Sequence, residues 1–331
     1  MKISKETIIL VLFFITITGL PYAVPSNEIL GYYGSIVGAF IGVFGAYTVL
    51  NTQLKQDKKS FNKTQTDNTF FNLLNLFKEI KDPIPPKIFL RLLSEINSEY
   101  KTKAQNIQLS EFKEELLLIL NSKEVSFLAK QNKLTSYIER TKSYITKSYF
   151  HMFADSLTPF ILFPDKIQKF QRIYDIRNNI RENPNYTSVN KKDKEKIISE
   201  VFTQPYYFQE LANYLRLFHR IVKFIMNSEL DISEKQEYLG ILRALLSPNE
   251  LLVIFYNTFY SKKGINLKEQ LKPENEYTEF FASSKDIDIF NKNMPNIEDK
   301  IDLPFFSYDD LIFKDEDLLL IKSLIKPNEL N

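Results

Sequence analysis

YLGILRALLSPNELLVIFYN, residues Tyr238–Asn257, decides the fold class of this chain. Within it, Ser247-Pro248-Asn249-Glu250 sets an N-cap serine, a proline at the first helical position and a glutamate at the third. An apolar run interrupted by a helix start must turn there, so the chain is expected to fold back between Leu245 and Leu251. Two consecutive helices follow, Tyr238–Leu246 and Leu251–Tyr260, the second closed by Lys262, Lys263 and Gly264. Upstream, Ser233-Glu234-Lys235-Gln236 reads as a further capping box that opens the first of the pair.

Working outward, the apolar period stays helical. Leu211, Leu215, Phe218, Val222 and Ile225 stripe Tyr206–Met226, and Ile197, Ile198, Val201 and Phe202 do the same just before it. Earlier come Ile167, Phe170, Ile173, Tyr174 and Ile180, then Phe112, Leu116, Ile119 and Leu120 behind Ser110 as N-cap, and Ile88, Phe89, Leu92, Leu93 and Ile96 after Pro85-Pro86. Phe70, Leu73, Leu74, Phe77 and Ile80 line a segment that must end before Pro83. Alternating strand patterns are nearly absent. With 28 Phe, 18 Tyr and no Trp, the core is expected to be aromatic-rich. The tail from Lys285 onward, with prolines at 295, 304 and 327 and acids at 309, 310 and 315–317, predicts short helices packed on the domain.

The amino terminus reads differently. Thr7–Asn27 and Ile29–Leu54 carry no charge and are split only by Glu28. Ile29–Leu50 would make about 33 Å of helix, enough for a hydrocarbon layer of about 30 Å, and Thr7–Val24 would reach about 27 Å. A cleaved signal peptide is the competing reading of Lys2, Lys5 and Ile8–Ile17, but no small-x-small cleavage site precedes Pro25 and a second span follows at once. The expected fold is therefore mainly α: a two-helix transmembrane hairpin over residues 1–54 (helices at about 7–24 and 29–50), then an all-α cytosolic domain over 55–331. Lys2 and Lys5 before the first span and Lys55, Lys58, Lys59 and Lys63 after the second predict that both termini are cytosolic. Next to a bilayer, the second group of lysines would also attract anionic headgroups.

Five of eight glycines, Gly31, Gly34, Gly38, Gly42 and Gly45, fall in the second span. In lipid, helices associate through close backbone approach, so such a row marks a packing face. Its partner could be the first helix of the same chain or the same helix of a second chain; the sequence leaves both open, so lipid bilayer and a homo-oligomer through this helix are the partners expected.

The rest of the composition mostly excludes. The chain has no cysteine, hence no disulfide framework and no thiolate chemistry, in keeping with a reducing compartment. Beyond residue 50 there are 41 basic and 39 acidic residues, which gives no general case for nucleic-acid binding, and the lysines at 191, 192, 194 and 196 alternate with Asp193 and Glu195 as on a solvated helix face. The two histidines, His151 and His219, belong to no zinc motif, and Gly31-Tyr32-Tyr33-Gly34 is not a phosphate loop because no strand precedes it. No catalytic, cofactor or metal residues are assigned. His219 lies on the edge of an apolar helix between Arg216 and Arg220, where a hydrogen-bonded structural histidine is the commoner case. Arg243, between Leu242 and Ala244, and Asn257, after Phe255-Tyr256, are either polar partners that set helix register or a solvated arginine and a helix-end asparagine.

Three stretches, NTFFNLLNLFKEI (Asn68–Ile80), YFQELANYLRLFHRIVKFI (Tyr207–Ile225) and the opening stretch, resemble the AbiC-type family of phage abortive-infection proteins. The order of elements is similar too, while 82–204 and the chain after Gly264 resemble nothing. Phe77 and Leu245 stand where family members often show histidine and glutamine. The resemblance implies bacterial antiviral defence and names no catalytic residues. Together with the hairpin it leads to the expectation of an effector in the bacterial inner membrane that acts through the membrane or through protein contacts. The alternative is a membrane-tethered adaptor that recruits a phage or host protein.

Overall fold

The computed structural model describes residues 28–158, 168–271, 280–282, 305 and 308–324. Among these there are thirteen α-helices and no strand. They are α1 (Glu28–Lys81), α2 (Lys87–Glu111), α3 (Lys113–Leu120), α4 (Lys123–Gln131), α5 (Thr135–Thr146), α6 (Phe150–Ser156), α7 (Gln168–Glu182), α8 (Lys191–Thr203), α9 (Pro205–Asn227), α10 (Ile232–Ala244), α11 (Pro248–Tyr260), α12 (Ile265–Leu271) and α13 (Lys314–Lys322). Among the described residues, those up to Thr69 and those from Phe70 onward form separate units.

The expected hairpin is not supported. Its first helix, 7–24, and the side chain of Gly31 lie outside the described residues, and among the described residues no single helix is long and apolar enough to cross a membrane. From Gly38, an 18-residue window runs into Asn51, Gln53 and Lys55, whose polarity offsets Phe40, Ile41, Val43 and Phe44. α1 is nevertheless one 54-residue helix that takes in both the glycine row and the Phe70–Ile80 segment. Among the described residues, a Cβ built at Gly34, Gly38, Gly42 or Gly45 meets nothing within 4 Å.

In the second unit α11 is central. Ten of its thirteen residues are buried, on every face, as a helix enclosed by others requires. It meets α10 at 118°, with the turn where the sequence predicts it. Ser247 Oγ accepts the Glu250 N–H at 3.4 Å and Glu250 Oε2 accepts the Ser247 N–H at 2.7 Å, so both arms of the capping box form. Upstream the prediction misses by two residues. The N-cap of α10 is Asp231, which accepts from the Glu234 N–H at 2.9 Å, so Ser233 lies inside the helix. Aspartate caps as well as serine, and Glu234 at the third position completes its box. Ser110 is likewise no N-cap: α2 continues through it to Glu111, and its hydroxyl donates to Ile107 O at 2.5 Å.

Phe70, Leu74 and Phe77 of α1 insert into this core at the spacing of one helix face, with Phe70 4.4 Å from the Tyr238 ring and Phe77 5.1 Å from that of Tyr214. A second hydrophobic cluster gathers α3–α7 around Leu116, Phe153 and Ile173. α2 serves both clusters, Ala104 facing one and Leu109 the other. Between them sit two buried glutamines: Gln105 Nε2 donates to Ile180 O at 3.4 Å and Gln108 Oε1 accepts the Asn185 N–H at 3.2 Å. The seam between the two clusters is thus polar and directional, which specifies how α2 meets the end of α7.

The described part of the tail packs as short helices, as expected. Residues 308–310 form a single 3-10 turn, α13 follows, and Leu311, Phe313, Leu318, Ile321 and Leu324 enter the main core. Residues 285–304 lie outside the described residues.

Candidate functional site

α9 buries Leu211, Phe218 and Val222 in the core, while Phe208, Arg216 and His219 on one edge face the chain that follows α11. That chain turns sharply. Ser261 Oγ accepts the Lys263 N–H at 3.2 Å, and Gly264 N–H donates to Ser261 O at 3.0 Å. Gly264 has no positive φ; it is glycine because a Cβ there would lie 2.0 Å from Asn257 O. The expected terminating glycine is thus a close-approach glycine, and it lets residues 262–264 lie flat on the last turns of α11.

Between α9, the end of α8, the end of α11 and this turn is a cavity of about 470 Å³. Its lining combines apolar and aromatic residues, among them Phe202, Tyr207, Phe208, Leu211 and Leu267, with polar ones: His219, Asn257, Ser199, Thr203 and Ser261, and Arg216, Lys262 and Lys263 as the charged members. Among the described lining residues there is no carboxylate. Two of the sequence candidates, His219 and Asn257, therefore come together across the cavity from different helices. Arg243 does not join them; its guanidinium lies 3.8 Å from the centroid of the Phe305 ring, half-buried on α10.

Nε2 of His219 is buried and has no hydrogen-bond partner among the described residues, so His219 is not the satisfied structural histidine that the sequence suggested. Burial, and then the Lys223 ammonium, push its pKa below the ordinary 6.5, which keeps the ring neutral at pH 7. Tyr207 commits its hydroxyl to Glu95 Oε2 at 2.7 Å, and burial followed by that bond raises its pKa to about 12; its side chain is almost wholly buried in the cavity wall. Lys263 Nζ stands 4.6 Å from the Phe208 ring centroid, a cation–π pair at the mouth.

A second recess of about 570 Å³ adjoins the first through Ser199, Ser261 and Lys262. It contains Lys192, Lys196 and Lys268 but also Glu195 and Glu200, and Lys196 lies 3.7 Å from Glu200. The lysine run of α8 is not uniformly solvated: Lys194 turns inward, pairs with Glu316 and lies 5.4 Å from the Phe313 ring centroid.

Two buried acids went unassigned in the sequence as buried groups. Glu250, read only as a cap, also stands 3.0 Å from Lys81 Nζ and accepts the Tyr214 hydroxyl at 3.4 Å. Asp317 accepts from Tyr256 at 2.8 Å, from Tyr260, and from the Phe313 N–H at 2.8 Å. A signal for Asp317 was present. It falls four residues from Phe313 and from Ile321, on the buried face of α13, while Glu316 beside it does not.

No three or more His, Asp or Glu side chains among the described residues gather to hold a metal ion. No curated protein and no solved structure matches the chain. Residues 206–279, from the start of α9 past α12, supply the central helix pair and all the cavity-lining residues except Ser199, Phe202 and Thr203, and they match the family model described as putative phage abortive infection protein.

Proposed function

We propose that this chain is an abortive-infection effector of the bacterial inner membrane, anchored by helices at 7–24 and 29–50 with both termini cytosolic, and that it acts through the membrane or through protein contacts rather than by catalysis. The observation that carries the reading is α1. One unbroken helix bears the glycine row near its start and, near its end, Phe70, Leu74 and Phe77 buried in the core that the family-matching segment builds. The open space at Gly34, Gly38, Gly42 and Gly45 suits close approach by another helix, in a homo-oligomer or with a phage or host protein. Phe40, Ile41, Val43, Phe44, Val49 and Leu50 are all exposed, an apolar surface that a bilayer would cover.

The test is to express the chain in cells and challenge them with a phage panel. Fewer plaques and smaller bursts, lost on deletion of Met1–Leu50, support the effector. Restoration by an unrelated anchor points instead to a tethered adaptor, and plaque numbers and burst sizes equal to those of the empty vector for every phage refute the defence reading.

A further inference from the structure

The larger question raised by the α9–α11 cavity is what its chemistry would hold. At about 470 Å³ it is within the size range of small-molecule sites, about 300–1,000 Å³. Its charged lining residues, Arg216, Lys262 and Lys263, are all cationic, in a chain whose formal net charge is only +2, so the asymmetry is local. The exposed ring in the lining is Phe208, with Lys263 Nζ 4.6 Å from its centroid, and the Asn257 amide and the unpartnered Nε2 of His219 line the same cavity. A buried nitrogen without a partner is destabilising, a penalty that a ligand able to hydrogen-bond it would remove.

We propose that this cavity binds a nucleotide, its phosphates on Arg216, Lys262 and Lys263 and its base at the exposed Phe208 ring, within reach of His219 and Asn257. Stacking on aromatic rings suits any base, because each presents a π face, and neutral imidazole and carboxamide groups can both donate and accept at a base edge. A phosphate on an apolar body also describes a phospholipid; the hydrogen-bonding groups of His219 and Asn257 beside the Phe208 ring favour the planar heterocycle over acyl chains. The proposal does not depend on membrane anchoring, since the lining residues all lie between Ser199 and Leu267.

Purified full-length protein in detergent would be titrated with ATP, GTP, inorganic phosphate and dihexanoyl phosphatidylglycerol by calorimetry. Saturable binding of ATP or GTP tighter than about 1 mM is expected, with inorganic phosphate at least about tenfold weaker. Lys262→Glu/Lys263→Glu should weaken nucleotide binding by about tenfold or more, and Arg216→Ala, a milder change that leaves the turn after α11 untouched, should weaken it severalfold. Lys147→Glu, exposed on the other cluster, should bind as the parent does. Absence of saturable nucleotide binding, or equal affinity in the parent and both cavity variants, overturns the proposal. Binding of the phosphatidylglycerol alone overturns it as well and assigns the cavity to a lipid.

Discussion

Lys81 Nζ stands 3.0 Å from Glu250 Oε2 and also donates to Leu245 O, so one ammonium at the end of α1 caps α10 and neutralises the capping-box carboxylate of α11. Glu250 is almost fully buried and would otherwise rely on the Ser247 N–H and the Tyr214 hydroxyl. Tyr214 in turn is held far above the ordinary phenol pKa, by burial first and by the Glu250 charge second, so it remains a donor.

Removing the ammonium should therefore cost more than a surface pair does. Lys81→Met is expected to destabilise the chain by about 2–4 kcal/mol, the lower end reflecting the partial exposure of Lys81, while Lys81→Met/Glu250→Gln should recover part of that loss because no buried charge is left unpaired. Urea unfolding followed by circular dichroism measures both. A Lys81→Met variant within about 0.5 kcal/mol of the parent would mean that water screens the pair.

Asp317 gives the chain a pH-dependent term of unusual sign. Burial raises its carboxyl from 3.8 to about 6, against the hydrogen bonds from Tyr260, the Phe313 N–H and Tyr256, which pull it down. The folded chain thus holds this proton between about pH 4 and 6, where the unfolded chain has released it. Its stabilisation is complete below about pH 4 and is lost as pH rises to about 6, some 3 kcal/mol in total. Asp317→Asn should flatten the melting temperature across that window, and parallel curves for variant and parent would show that no such proton is held. Tyr260→Phe removes one donor to the buried carboxylate and should cost about 1.5–3 kcal/mol at pH 7.

Two glycines predict opposite outcomes for the same substitution. Gly264→Ala places a Cβ 2.0 Å from Asn257 O and 2.6 Å from Thr258 Cα, both backbone, so the turn must shift and about 2 kcal/mol or more should be lost. Gly240, inside α10, has nothing within 4 Å of its built Cβ, and Gly240→Ala should stabilise by about 0.5–1 kcal/mol through helix propensity. Thermal melts of the two variants decide. A silent Gly264→Ala would show that the 262–264 turn relaxes freely.

Gly38→Leu tests the glycine row. Open space around Gly38 means that the fold tolerates the side chain, so any loss must come from a partner helix. Phage resistance and crosslinking between chains should both fall while membrane fractionation is unchanged, with Ile41→Leu nearly silent. Equal crosslinking and resistance in Gly38→Leu and the parent would make the glycines incidental.

What the sequence determined by itself was local. Helix class, the Ser247–Glu250 cap, the stop before Pro83 and the inward face of Phe70, Leu74 and Phe77 all depend on residues within about a turn or two of one another, and period and capping chemistry are readable at that range. Even locally, two equivalent caps compete, which is why Asp231 opens α10 where Ser233 was expected. The candidate site was legible only in pieces: His219 and Asn257 stood out singly, and nothing in their spacing put them on one cavity with Lys262 and Lys263. Tertiary structure alone decided that, because the cavity forms between α9, the end of α8 and the end of α11, where Gly264 lets the chain fold against Asn257. It also decided which acids are buried. Glu250 meets Lys81 from 169 positions away, and Asp317 meets Tyr256 across a sequence separation of 61. The burial that raises the Asp317 pKa is a property of the assembled core, and no local pattern of residues encodes it.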